Sequence, residues 1–286
     1  MSGTFLYVHG TGEASTVDDE ARIARQLREV WGVTDWRVVC PPWGAEVGPP
    51  DLDVTPALPV GYQAAIVQDA GDALAEAAAE FHAQSVGSAA EVVPAGVQNL
   101  GLRILTDVIE KYRLGLTNGV VDFVRNVFFY LNAPDGVREY VDRAIDEAVA
   151  SRTEPVVVAG HSLGGVIALE ALSLRPRDVD LLVTAGSQAP LFSLMGVLPS
   201  IGEGRAPFSP WLNVVNPRDP LSFRAGEVFG WAPEVPVDVE VTEPRNLIAA
   251  HTGYFDEPEL YRLIGERLGL TLEAAGGPVD SGSQPL

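Results

Sequence analysis

Pro155-Val-Val-Val-Ala-Gly160-His161-Ser162-Leu163-Gly164-Gly165-Val-Ile-Ala-Leu-Glu-Ala-Leu172 runs an apolar, β-branched stretch straight into helix formers, with no spacer between them. The first half reads as a buried strand and the second as a helix from Leu163 to about Leu174. At the junction stands Gly160-x-Ser162-x-Gly164, a pattern whose logic is steric. Such a sharp strand-to-helix turn strains the backbone of its middle residue, and side chains two positions before and after would collide. Glycine removes both collisions. The turn lifts the Ser162 hydroxyl above the sheet edge. It also leaves the Leu163 N–H at a helix start, where free amides and the helix dipole favour an anion. The stretch therefore predicts Ser162 as a nucleophile rather than a plain N-cap, with Leu163 as an oxyanion-hole donor.

Outward from this turn, strands and helices alternate. Thr4–Val8 reads as a first strand ending in His9-Gly10-Thr11-Gly12, followed by a helix over Val17–Trp31 with Ile23, Leu27 and Val30 on one face. Trp36–Cys40, Leu181–Ala185, Trp211–Val215 and Val237–Val241 read as further strands, and Glu257–Leu268 as a closing helix. The strands are apolar throughout rather than alternating, which predicts an α/β fold: a mainly parallel sheet covered by helices on both faces. Gln63–Gln84 is an alanine-rich helix candidate.

Residues 85–133 break the alternation and read as a helical lid or cap insertion in a single domain spanning 1–272. Within it, Leu100–Ile109 and Val120–Leu131 are helix-like, and the second is too apolar to face water. It must pack on the core, on a partner protein, or at the mouth of a site. Residues 273–286, rich in Gly, Pro and Ser, are expected to be a disordered tail.

The net charge of −20, with 39 acidic against 19 basic residues, opposes nucleic-acid binding. No run reaches the roughly 20 apolar residues of a membrane span, which leaves only transient contact with a lipid surface. The N-terminus enters a strand without a basic leader and Cys40 is the only cysteine, so a cytoplasmic, reducing location is expected. Scattered histidines and the absence of a Cys pair predict no metal, and no Gly-Lys-Ser/Thr loop offers a phosphate cradle. No cofactor is expected.

A serine hydroxyl needs an imidazole to take its proton. The chain has 4 histidines. His161 sits inside the turn, His9 ends the first strand, and His82 lies on the alanine-rich helix, which leaves His251, downstream of Ser162. The acid should lie between serine and histidine in the chain. Asp219, in Asn216-Pro-Arg-Asp219-Pro-Leu just past a strand and held between Pro217 and Pro220, fits best. Asp178 and Asp180 precede a strand and so fall at the opposite sheet edge. Asp238 lies within a strand, and Glu243 is a weaker alternative. The loop after the first strand should give the second oxyanion donor, with Thr11 preferred and Gly12 the alternative.

Together these residues resemble the α/β-hydrolase superfamily over most of the chain outside 85–133 and the tail. Gly160-His-Ser-Leu-Gly164 is similar to the nucleophile elbow of lipases, and Asn216–Leu221 resembles the acid loop of fungal triacylglycerol lipases. Tyr130-Leu-Asn132 and the amphipathic stretch Val137–Val149 resemble a bacterial branch of such hydrolases. The resemblance implies hydrolysis of carboxylic esters on small-molecule or lipid substrates through Ser162, Asp219 and His251. The first His-Gly strand begins at residue 4, so two leading strands of the usual sheet are expected to be missing. A thioesterase or acyltransferase would use the same triad. A non-catalytic binding or effector module would instead offer its apolar helices, about 100–131, to a partner protein.

Overall fold

The computed structural model describes residues 2–10, 16–48, 118–151, 155–198, 208, 210–230, 236–243 and 247–270. The Gln63–Gln84 and Leu100–Ile109 helices, His82, Thr11, Gly12 and the 273–286 tail lie outside these residues, as does most of the 85–133 insertion.

Six strands, β1 (Gly3–Val8), β2 (Trp36–Val39), β3 (Val156–His161), β4 (Leu181–Ala185), β5 (Trp211–Val215) and β6 (Val237–Glu240), form one sheet in the order β2-β1-β3-β4-β5-β6. Every pairing is parallel. The expected parallel sheet is thus present, with strand ends within a residue or two of those read from the sequence. The chain moves outward from β1 to β2, then crosses to β3 on the other side. A crevice forms at such a reversal, beyond the carboxyl ends of the strands. Register places Val8, Gly160, Thr184, Asn213 and Asp238 in one row across the sheet. Everything just past that row meets at one edge.

Alternate strand residues feed two cores, because successive side chains point to opposite faces. On one face Phe5, Tyr7, Val157, Ala159, Val183 and Val214 pack against α1 (Thr16–Trp31) and the C-terminal helix Pro258–Arg267. Trp31 Nε1–H donates 2.7 Å to the Tyr261 carbonyl and joins those two helices. On the other face Leu6, Val8, Val156, Val158 and Leu182 pack against α2 (Trp43–Val47), α3 (Asn118–Asn132), α4 (Pro134–Ala150) and α5 (Leu163–Leu174). Leu163 to Leu172 of α5 are all buried, as expected of an apolar helix between sheet and outer helices.

α3 is the described end of the insertion. Its Val127 and Tyr130 lie within the second core, and the Tyr130 hydroxyl donates a hydrogen bond to buried Glu170 of α5. Phe128, on the opposite face, is 41% exposed. Phe129 and Leu131 pack against the same core, so between residues 125 and 132 most of the apolar side chains are answered by it. Three short elements had no clear sequence signature: α2, α6 (Ala189–Leu194) and α7 (Leu247–Thr252). Among the described residues no helix is long and apolar enough to cross a membrane.

Candidate active site

Ser162 follows β3 directly, with φ 54° and ψ −126°. It is the one non-glycine residue at positive φ among those described, in a sparsely populated region that the surroundings must enforce. The enforcement is close packing. A Cβ at Gly160 would sit 2.5 Å from the Gly165 Cα, and one at Gly164 would sit 2.1 Å from the Val8 carbonyl oxygen. The Ser162 N–H donates 3.0 Å to Ala185 O, fastening the turn to the end of β4. Behind it α5 starts with no side-chain cap, so the Leu163 amide stands at the positive end of a twelve-residue helix. The sequence-predicted partner, Thr11, is outside the described residues. Gly10 next to it approaches the elbow so closely that a Cβ there would lie 3.0 Å from Ser162 Cβ.

The structure brings Ser162, His251 and Asp219 together from the ends of three separate segments. Ser162 Oγ lies 3.1 Å from His251 Nε2. His251 Nδ1 lies 2.9 Å from Asp219 Oδ2 and 3.0 Å from Oδ1. An ionised carboxylate only accepts, so Nδ1 carries the proton and Nε2 offers its lone pair to the serine O–H. The Asp219 side chain is fully buried and that of His251 is 18% exposed. Asp219 Oδ1 also accepts the Leu221 N–H at 2.9 Å, the Asx-type turn that an Asp before Pro-Leu favours.

Two of the competing acids, Asp238 and Asp180, are engaged elsewhere. Asp238 accepts from the Ala225 and Gly226 amides at 2.8 Å each and from Asn213 Nδ2 at 2.7 Å. It thereby pins the back of the loop whose front carries Asp219. Asp180 accepts the Val156 N–H at 2.7 Å, at the amino end of β3, away from the elbow. Glu243 contributes its main-chain oxygen to Asn216 Nδ2.

Four residues at this site were not singled out by sequence reasoning for what they do here. His161 Nε2–H donates 2.6 Å to the His251 carbonyl. Burial, followed by repulsion from a charged His251, pushes its pKa down to about 3, so it stays a neutral donor. Tyr254 places its hydroxyl 2.9 Å from Asp219 Oδ2. Gln188 Nε2 donates to Gly186 O (2.8 Å) and Leu221 O (2.9 Å), which sets its amide 3.4 Å from Ser162 Oγ. Gly186, at φ +60°, closes the floor: a Cβ there would lie 2.7 Å from Tyr254 Cε2, 2.9 Å from Asp219 Oδ2 and 3.3 Å from His251 Nδ1. The sequence signal for Gly186 and Gln188 was Gly186-Ser-Gln188 directly after an apolar strand, a glycine and polar residues at the edge where the site forms. For Tyr254 it was an aromatic three residues past the histidine.

His9, the other histidine of the strand ends, donates Nδ1–H to Gly10 O at 2.9 Å and stacks on Trp43 at 5.1 Å, with Trp43 Nε1–H donating to His9 O. It braces the loop that leads to Thr11. Among the described residues no group of His, Cys, Asp and Glu could hold a metal ion.

A candidate hydrolase of the alpha/beta superfamily from Xanthomonas campestris pv. campestris is 18% identical, covering 92% of this chain and 99% of its own, with a TM-score of 0.37. A candidate lipase from Acinetobacter baumannii AYE is 15% identical over 94% of this chain and 84% of its own, with a TM-score of 0.39. No curated protein matches the chain. The profile of the Alpha/beta hydrolase family matches residues 119–275, which hold the elbow, the acid loop and the histidine. The chain belongs to the alpha/beta hydrolase family.

Proposed function

We propose that this protein is a serine hydrolase cleaving carboxylic esters with apolar acyl groups, through Ser162, His251 and Asp219. The observation that carries the reading is the run of contacts from Ser162 Oγ through His251 to Asp219, 3.1 Å and 2.9 Å, on a strained elbow.

In the acylation step the Ser162 oxygen bonds to the ester carbonyl carbon as its proton passes to His251 Nε2. The carbonyl oxygen becomes an oxyanion held by the Leu163 N–H and the Thr11 N–H, each contributing about 3 kcal/mol to barrier lowering. The C–O bond to the alcohol then breaks, and the leaving oxygen takes the proton from His251. Water repeats the sequence on the acyl-enzyme, with His251 again as base and Ser162 as leaving group. Asp219 keeps His251 in the tautomer with Nδ1–H and stabilises the imidazolium.

The test is labelling with an alkyl fluorophosphonate, wild type against Ser162→Ala, followed by turnover of short- and long-chain p-nitrophenyl esters. Labelling confined to the wild type, with ester turnover, is the expected result. A wild-type protein that does not label, or a Ser162→Ala variant that labels equally, overturns the reading in favour of a binding module on the same fold.

A further inference from the structure

The segment that carries the base also holds the acid. Three residues after His251, the chain turns through Gly253 into a single 3-10 turn, Tyr254–Asp256, and the Tyr254 ring drops beneath the triad. Its hydroxyl makes two hydrogen bonds of opposite sense. It accepts the Asn216 main-chain N–H at 2.8 Å and donates to Asp219 Oδ2 at 2.9 Å. Asn216 and Asp219 are the two ends of one turn, closed by the Asp219 N–H on Asn216 O at 2.9 Å. One phenol thus grips both ends of the acid loop while joined to the histidine by a few bonds of backbone. Tyr254 is 1% exposed, and burial beside Asp219 holds its hydroxyl firmly in the protonated form. It is therefore a donor across the whole working pH range.

We propose that Tyr254 is the positioning residue of this site, sharing the Asp219 charge with His251 and fixing the separation of acid and base. The proposal rests on the hydrolytic reading for its consequence in catalysis, while the contact itself does not. Asp219 Oδ2 faces two donors, the His251 Nδ1–H and the Tyr254 O–H, and Oδ1 is held by the Leu221 amide. A carboxylate whose charge is shared with a second donor is a weaker partner for an imidazolium. Removing the phenol hydroxyl concentrates that charge on His251 Nδ1–H, so the imidazole holds its second proton to higher pH. The base is then protonated, and idle, at pH values where the wild type is active.

Other titratable groups around the pair are His161 at the end of β3, which in turn feels His9 and Arg22, and Arg218 and Glu243 flanking the acid loop. All are retained in the variants, so a shift reports the phenol.

The experiment measures the fluorophosphonate labelling rate of Ser162 from pH 5 to 9 in wild type and Tyr254→Phe, alongside the pH titration of the His251 ring nitrogens by 15N NMR. Tyr254→Phe should move the acid limb and the NMR midpoint upward together, by about half to one pH unit, and slow labelling below the midpoint about threefold to tenfold. A second variant, with 3,5-difluorotyrosine placed at 254 alone, offers a more acidic donor and should move both in the opposite direction. Should Tyr254→Phe fold poorly, this variant decides the matter by itself. Slower labelling with an unmoved limb and midpoint in either folded variant overturns the proposal and leaves Tyr254 as packing. If the wild type does not label at all, the hydrolytic reading fails, and the NMR midpoints still decide the role of Tyr254.

Discussion

Gly186→Ala adds one methyl group at the floor of the triad, and its effect can be worked from distances. The new Cβ would meet Tyr254 Cε2 at 2.7 Å, Asp219 Oδ2 at 2.9 Å and His251 Nδ1 at 3.3 Å, where ordinary contact begins near 3.4 Å. The tyrosine ring must retreat by about 0.7 Å and the carboxylate by about 0.5 Å. Alanine at φ +60° adds about 1 kcal/mol of backbone strain, and overpacking a closed core adds about 1–3 kcal/mol. The sum, about 2–4 kcal/mol, lowers the melting temperature by about 5–15 °C in a domain of this size. Displacing acid and base by a sizeable fraction of an ångström costs activity about tenfold to a hundredfold. Circular-dichroism melts give the first quantity, and the second-order rate of fluorophosphonate labelling gives the second. A Gly186→Ala protein that melts and labels like the wild type would show that this floor is not the close-packed support described above.

Two further outcomes follow from the same contacts. Asp219→Asn keeps the side-chain volume but no longer selects the Nδ1–H tautomer of His251, so kcat on a short-chain ester should fall about a thousandfold or more, read by initial rates against wild type at matched fold stability. His161 is neutral when folded down to about pH 3, whereas an unfolded chain protonates near 6.5. Its contribution is intact above 6.5 and lost as pH falls from there toward 3. Urea unfolding at stepped pH should show His161→Gln losing less stability across that window than wild type, and parallel curves would refute the assignment.

The sheet and elbow were legible because each depends on local pattern. Val-Val-Val-Ala before Gly160 can only be buried on both sides, and a serine flanked by glycines at its exit has few structural uses. Asp219 was reachable because parallel strands send all carboxyl ends to one edge, so a residue just past β5 must arrive near one just past β3. The residues around the triad were not reachable in the same way. The donors on the His251 carbonyl and on Asp219, His161 and Tyr254, act through orientation, which sequence spacing does not encode. Asp238 was read only as a strand residue, yet its side chain holds two loop amides that no periodicity reveals. The short helices α2, α6 and α7, five or six residues each, are too brief for helical propensity to announce them. Their form comes from packing.

The backbone of Ser162 sets the elbow's local stability against its side chain. Any β-carbon at φ 54° and ψ −126° carries strain that glycine would escape, and the hydroxyl does not cap the helix it precedes. The oxygen's contacts are with His251 and Gln188 rather than with the helix behind it. Four flanking glycines, 10, 160, 164 and 165, leave room for this backbone at the scale of single atoms. Ser162→Gly is therefore a substitution that should relax the elbow and raise the stability of the fold in the same step that removes the hydroxyl.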